Sequence, residues 1–447
     1  MNDNIRISAI EKIYFVGIGG IGMSALARYF NHIGKEIYGY DKVNTVLTRK
    51  LEDEGMKIHY KDDPDQIPEG IGLVVYTPAI PTHNKELSWF VNNGFSVKKR
   101  SEVLGLLSKE KKTIAVAGTH GKTSTSCIIS HILTYSGLHP TAFIGGILKN
   151  YDSNFLQGRG EWLVVEADEY DRSFHTLEPD IAVLISVDPD HLDIYGDHEV
   201  MLESFRIFLE KTKEGGTVIV HSSALELLGK EIIDKLARKD IDVMIYNLDK
   251  NVELSKRLVE SSSDYFFKGK HNRENAIAAM MVGEKLELES DKLLEGLESF
   301  SGIKRRFEKV HEEDGRLYID DYAHHPTELR AAIEATRESA GRRHILGIFQ
   351  PHLFSRTKDF EAEFAAVLDD LDEIILLEIY PAREEAIPGV SSKNIFDRMK
   401  NKNKHLIEKS QLIDFLTDKK IEVIVSLGAG DIDTCVPEIK TLLENRK

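Results

Sequence analysis

In the stretch AVAGTHGKTST an apolar run ends at Gly118, and an apolar helical pattern begins after Gly121, with Thr119 and His120 between them and Lys122, Thr123 and Ser124 following. Backbone N–H groups of such a turn can cradle phosphates, the Lys122 ammonium can reach β and γ phosphates, and the Thr123 hydroxyl can ligate Mg²⁺. Val116 stands where the strict GxxxxGK[ST] pattern has glycine, so this is a variant loop, but its place between strand and helix points to ATP. Magnesium at a phosphoryl-transfer site needs oxygen ligands beyond one hydroxyl. The run WLVVEADEYD ends in Glu166, Asp168, Glu169 and Asp171, one of which is expected to reach the metal. ISVDPDHLDIYG puts Asp190, His191 and Asp193 at the end of another apolar run, the edge of a sheet where ligands bind in parallel folds.

A second glycine cluster lies nearer the N-terminus, where Gly17, Gly19 and Gly22 form GxGxxG around Gly20, and Asp41 closes the next strand. Such a loop lets backbone approach a diphosphate at a helix N-terminus. It leaves open whether a nicotinamide dinucleotide or a UDP-sugar binds, since each presents a diphosphate. Later strings add further polar groups. KGKHNREN offers His271, Asn272 and Asn275 for the edge of a base, and GIKRRFE offers Arg305 and Arg306 to a triphosphate. In DDYAHHPTEL, Asp320, Asp321, His324 and His325 suit either a metal pair or contacts to ribose or substrate. FQPHLFSRTKDF places His352, Ser355 and Arg356 as an anion clamp.

Positioning these groups requires strands that end beside one another. Short apolar, β-branched runs alternate with helical patterns along all 447 residues, which predicts an α/β architecture with largely parallel sheets in two or three domains. The first block has strands at 12–16, 36–40 and 73–76 and ends in RSEVLGLLSKEKK, read as a polar helical linker. The second has strands at 113–117, 162–166, 181–187 and 217–220, then a helix over 272–286, and closes at LLEGLESFSGIKRRFE. Strands near 317–320, 344–349, 373–377 and 421–427 make the third. A formal charge of −16 argues against a broad surface for nucleic acid or anionic lipid. No secretory signal or membrane-spanning run is visible, so a cytoplasmic protein is expected. Cys127 and Cys435 are too few for a disulfide framework or structural zinc site and are expected to be buried.

Taken in order, GIGGIGMSALA, AVAGTHGKTSTS, EADEYDRSF, DPDHLDIYG, KGKHNRENA, GIKRRFE, DDYAHHPTEL, FQPHLFSRT and YPAREEAIPGVSS resemble the Mur ligase family over the whole chain. The resemblance implies three domains: a Rossmann-like UDP-sugar domain over 1–104, a central P-loop ATPase domain with a parallel or mixed sheet over 105–302, and a Rossmann-like C-terminal domain over 303–447. It implies ATP and Mg²⁺ as cofactors. The implied reaction has the lactyl carboxylate of UDP-N-acetylmuramate taking the γ-phosphoryl group of ATP, after which the amine of L-alanine displaces phosphate. Residue by residue it implies Lys122, His191 and Arg306 as catalytic, and Thr123, Glu166 and His191 around the metal. Gly118, Thr119, His120, Gly121, Lys122, Thr123, Ser124, His271, Asn272, Asn275, Arg306 and Asp321 would bind ATP. Gly19, Gly20, Gly22, His120, Tyr322, His324 and Arg356 would face the sugar nucleotide and the reacting groups. Two departures from the family pattern stand out. Leu353 occupies a position that is basic in many relatives, and the region where sister ligases carry a carbamylated lysine holds Arg206, so no carbamate is expected.

Overall fold

The computed structural model describes residues 7–81, 83–189, 192–261, 267, 269–382 and 384–445. Three sheets organise the chain. The first contains β1 (Lys12–Val16), β2 (Glu36–Tyr40), β3 (Lys57–His59), β4 (Leu73–Tyr76) and β5 (Val97–Lys99), in the order β3-β2-β1-β4-β5 with every pair parallel. Ile13 to Val16 are all fully buried, because helices cover both faces of a parallel sheet. Strand alternation sends Ile13 and Phe15 into one core and Tyr14 and Val16 into the other.

The second sheet is built from β6 (Lys112–Ala117), β7 (Thr141–Leu148), β8 (Ser153–Leu156), β9 (Trp162–Ala167), β10 (Ile181–Leu184), β11 (Thr217–His221) and β12 (Asp242–Tyr246). Its order is β12-β11-β10-β6-β9-β7-β8, parallel except for the β7–β8 hairpin. Ala117 pairs with Ala167 on one side and Leu184 on the other, so the carboxyl ends of β6, β9 and β10 lie level. The third sheet comprises β13 (Glu308–Glu313), β14 (Arg316–Asp321), β15 (Ile345–Phe349), β16 (Glu373–Leu376), β17 (Lys404–Leu406) and β18 (Val423–Leu427). It runs β13-β14-β18-β15-β16-β17, with only β13 antiparallel.

The chain divides into two compact units, one of Met1–Lys250 with Ile277–Phe300 and one of Asn251–Ala276 with Ser301–Lys447. The first two sheets share the first unit, and the expected linker at 100–110 explains why. RSEVLGLLSKE forms one helix, Arg100–Glu110, whose Val103, Leu104 and Leu107 are buried in a core common to both sheets. A Cβ on its Gly105 would come within 2.5 Å of the Thr176 carbonyl oxygen. The stretch is polar on one side only, and its apolar positions make it packing rather than a linker. Asn154 on β8 adds a polar tie. Its Nδ2 donates to the Ile21 carbonyl at 2.6 Å, and its Oδ1 accepts from Arg28 at 2.5 Å. The expected strand at 181–187 stops at Leu184, after which the Ile185 N–H donates to the Ala117 carbonyl at the end of β6 and the Ser186 carbonyl accepts from Thr119 in the loop that follows. Cys127 and Cys435 are both free and buried.

Beneath the first sheet, Glu86 is wholly buried and accepts from the Tyr14 hydroxyl at 2.6 Å and the Asp63 N–H at 2.9 Å. Burial pushes its pKa up to about 7 from an ordinary 4.5. The folded carboxyl therefore holds its proton more tightly than the unfolded one, so its contribution to stability is complete below pH 4.5 and is lost as pH rises through about 7. His59, beside it and lowered by burial, titrates in the opposite sense. The readout is therefore the difference between wild type and Glu86→Gln. Unfolding free energies from denaturant titrations should show wild type losing about 3 kcal/mol relative to the variant between pH 4.5 and 7.5; a constant difference across that range would disprove the shift.

Candidate active site

The level ends of β6, β9 and β10 carry the first cluster. Gly118 (φ +143°) and Gly121 (φ +82°) hold backbone conformations that L side chains rarely adopt, and they fold residues 118–121 into a turn over the helix Lys122–Tyr135. Ser186, after β10, clamps this turn. Its carbonyl accepts from the Thr119 N–H at 3.1 Å and its hydroxyl from the His120 N–H at 2.9 Å, while the Thr119 and Ser186 hydroxyls lie 3.0 Å apart. Thr119, Thr123 and Ser124 are buried.

Two carboxylates from the end of β9 divide the work. Glu166 accepts from the Thr123 and Ser126 hydroxyls at 3.2 Å each and from the Gly145 N–H at 2.5 Å. A Cβ at Gly145 would stand 2.6 Å from Glu166 Oε2, so a side chain there would push the carboxylate from its place. Thr123 and Glu166 thus bring a hydroxyl and a carboxylate together, the hard oxygen set that suits Mg²⁺. Glu169, with a side chain 1% exposed, instead faces the Lys122 ammonium at 2.7 and 2.8 Å. Burial alone would lower the lysine pKa, but Glu169, Asp168 and Glu166 outweigh it and hold Lys122 firmly protonated. His191 and Asp190 lie outside the described residues.

At the first glycine loop the Gly19 N–H donates to Asp41 Oδ2 at 2.7 Å, so Asp41 braces the loop from the end of β2. Gly20 precedes the helix Ile21–His32, and a Cβ at Gly22 would sit 2.9 Å from Arg100 Nη1. The Arg100 guanidinium lies 3.9 Å from Asp168, which connects this loop to the acidic end of β9. Sequence reasoning did not single out Arg100, Ser186 or Gly145. Ser186 sits within ISVDPDHLDIYG and Arg100 opens RSEVLGLLSKEKK, while no local pattern marks Gly145.

The second unit gathers the remaining residues in two places. His271, Asn272 and Asn275 lie in the first turns of the helix Lys270–Lys285, with His271 exposed and Asn275 buried. At the ends of β14, β15 and β18, Asp321 accepts from the Phe307 N–H at 2.6 Å and the Ala323 N–H at 2.7 Å. Burial lifts its pKa to about 6, against the pull of Arg306. Arg305 binds Asp320 at 3.2 Å and the Gly428 carbonyl at 2.6 Å, whereas Arg306 stacks 5.0 Å over the Tyr322 ring. His324 touches the Tyr322 carbonyl at 3.0 Å and Glu328 at 3.3 Å, its pKa lowered by burial, and its ring meets that of His352 at 5.9 Å. Leu353 caps the helix Phe354–Leu368, which carries Ser355 and Arg356, at φ +73°, a strained conformation costing roughly 1–3 kcal/mol. The metal-pair alternative for DDYAHHPTEL finds no support, since Asp320 is taken by Arg305 and Ser426, and no group of three His, Cys, Asp or Glu suited to a metal occurs among the described residues. Arg206 is also engaged, with Glu199, Glu203 and the Leu228 carbonyl.

Family models match three consecutive regions: "Mur ligase family, catalytic domain" over residues 12–112, "Mur ligase middle domain" over 116–283 and "Mur ligase, glutamate ligase domain" over 305–430. The UDP-N-acetylmuramate–L-alanine ligase of Flavobacterium psychrophilum is 44% identical over 99% of this chain and 100% of its own length. The ligase of the same name from Cytophaga hutchinsonii is 43% identical over 99% of each chain. Among solved structures, the UDP-N-acetylmuramate-alanine ligase of Thermotoga maritima aligns with a TM-score of 0.78 at 26% identity, covering 97% of this chain and 100% of that one. A murein peptide ligase from Psychrobacter arcticus shares the fold, with a TM-score of 0.67 at 20% identity over 98% and 99% of the two chains.

Proposed function

The chain belongs to the Mur ligase family, and on that premise we propose that it joins L-alanine to the lactyl carboxylate of UDP-N-acetylmuramate with cleavage of ATP to ADP and phosphate, in cytoplasmic peptidoglycan precursor synthesis. The observation that carries the reading is the convergence of Thr123 and Glu166 beside the Lys122 ammonium at one sheet edge. A carboxylate is a poor acyl donor, and phosphorylation supplies its leaving group. The lactyl carboxylate oxygen attacks the γ-phosphorus, and the bond from that phosphorus to the β–γ bridging oxygen breaks. The alanine amine, having lost a proton, then attacks the acyl carbon; the carbon–oxygen bond to phosphate breaks, and the nitrogen sheds a second proton as the amide forms.

In this scheme the turn from Gly118 to Ser124 binds the phosphates through its N–H groups, and Lys122 neutralises the charge spread over the transferring group. Thr123 and Glu166, with His191, would hold Mg²⁺, whose charge offsets that of the phosphoryl oxygens. Residues 105–302 form the ATP domain in this reading. His271, Asn272 and Asn275 contact the base, Arg306 the triphosphate and Asp321 the ribose. Residues 1–104 hold the UDP-sugar diphosphate at Gly19, Gly20 and Gly22, and residues 303–447 present Tyr322, His324 and Arg356 to the reacting groups, with His120 facing the carboxylate from the ATP loop. With Leu353 apolar, the anchoring of the substrate carboxylate rests on Arg356 or another group. No helix among the described residues is long and apolar enough to cross a membrane.

The test is phosphate release from Mg²⁺-ATP and UDP-N-acetylmuramate with and without L-alanine, coupled to mass analysis of the sugar product. Alanine-dependent release with a gain of one alanyl residue is expected. Release with the cell-wall tripeptide and none with alanine would reassign the amine substrate.

A further inference from the structure

The Lys122 ammonium has three N–H donors. Glu169 Oε1, Glu169 Oε2 and the Gly118 carbonyl stand at 2.8, 2.7 and 2.6 Å from it, so all three are already used. With its donors so committed, the lysine cannot contact a phosphate without giving up a partner. The two sides of the pair differ in reach. Lys122 has a four-carbon stem, whereas Glu169 has two methylenes on a backbone fixed by the turn that follows it. Its carbonyl accepts from the Tyr195 hydroxyl at 2.6 Å and the Arg172 N–H at 2.9 Å, and the Asp168 carbonyl accepts from the Phe174 N–H at 3.0 Å. Asp171 and Arg172 both sit at positive φ (+49° and +61°), conformations that persist in non-glycine residues only when their surroundings enforce them. Lys99 enforces this one by pairing with Asp171 at 2.9 Å.

From this geometry we infer that Glu169 is a positioning residue, a resident counter-ion that parks Lys122 in the nucleotide-free site and must yield it to the incoming triphosphate. The inference rests on the reading of Lys122 as the phosphate lysine. A buried ammonium without a counter-charge is strongly disfavoured, so the carboxylate keeps the empty loop folded. The same contact competes with nucleotide, because the free energy of releasing Lys122 is subtracted from that of binding. Removing the carboxylate while keeping the side chain's shape therefore destabilises the empty protein and strengthens nucleotide binding. A merely structural role for Glu169 predicts the first effect without the second.

The experiment measures dissociation constants of ADP and ATP by calorimetry on the full chain, with and without Mg²⁺, together with melting temperatures, for wild type, Glu169→Gln, Glu169→Asp and Lys122→Met. For Glu169→Gln we expect binding about tenfold tighter than wild type in the absence of Mg²⁺, a lower melting temperature without nucleotide, and a larger rise on adding it. Glu169→Asp, whose shorter arm pairs less well, should fall between, and it decides the matter if the glutamine variant does not fold. Weaker or unchanged Mg²⁺-free binding in these variants would overturn the inference. Weakening confined to the Mg²⁺ arm would overturn it in favour of Glu169 as a metal ligand. The Lys122→Met protein keeps the two failures apart: if it binds nucleotide as wild type does, the reading of the loop itself is wrong, whatever the Glu169 variants show.

Discussion

Alanine-dependent phosphate release should fall by about 10³-fold or more when Lys122 is replaced by methionine, in a protein whose far-UV circular dichroism is native at the assay temperature although its melting temperature falls, since Glu169 loses its counter-charge. The size of the effect follows from position. Lys122 heads the helix that opens behind the turn at 118–121, and its charge is maintained by Glu169, Asp168 and Glu166. Arginine in its place should restore little, because a planar fork cannot occupy the site of a compact ammonium between Gly118 and Glu169. Steady-state rates at saturating ATP check the expectation, and a loss below tenfold would remove Lys122 from the chemistry.

The adjacent arginines of GIKRRFE should separate stability from activity. Arg305→Ala is expected to destabilise the protein by about 3–5 kcal/mol, since it strands Asp320, a carboxylate 1% exposed, without its counter-charge. It also removes the donor to the Gly428 carbonyl and frees a turn in which Arg305 and Phe307 hold positive φ. Arg306→Ala should cost less stability, because its guanidinium stacks on Tyr322 and acts on Asp321 without a hydrogen bond while Asp321 keeps the Phe307 and Ala323 N–H donors, but it should lower kcat/KM for ATP by about 10²-fold. Urea denaturation and steady-state kinetics on both variants give the answer. If Arg306→Ala were the less stable and Arg305→Ala the less active, the assignment would be reversed.

The legible features were the local ones. Strands Lys12–Val16, Glu36–Tyr40 and Leu73–Tyr76 lie where their apolar runs placed them, because such runs bounded by turn residues suit strands buried on both faces. The phosphate turn was readable because its glycines answer a backbone requirement that exists within a few residues. The helix Arg100–Glu110 was misread as a linker because its charges are conspicuous, and nothing nearby in sequence shows what its apolar side meets. The short strands Lys57–His59, Val97–Lys99 and Lys404–Leu406 were missed as well. Each is only half-buried, so its pattern is weak, and each exists because a neighbouring strand offers a row of hydrogen-bonding groups.

By itself, then, the amino-acid sequence determined the α/β class, the strand-to-helix turns at Gly19 and Gly121, and the kind of chemistry that a lysine, a hydroxyl and several carboxylates can perform there. These depend on backbone sterics and side-chain type, which act over short stretches of chain. Only the tertiary structure shows which partner each acid meets. In EADEYD the carboxylates are equivalent as letters. The pairing of β9 beside β6 turns Glu166 toward Thr123, and the strained turn after it turns Glu169 toward Lys122. The same holds for the two arginines, where the buried Asp320 claims Arg305 and leaves Arg306 over Tyr322. A charge acquires its role from the partner beside it and from the water excluded around it, and both are set by residues distant in the chain.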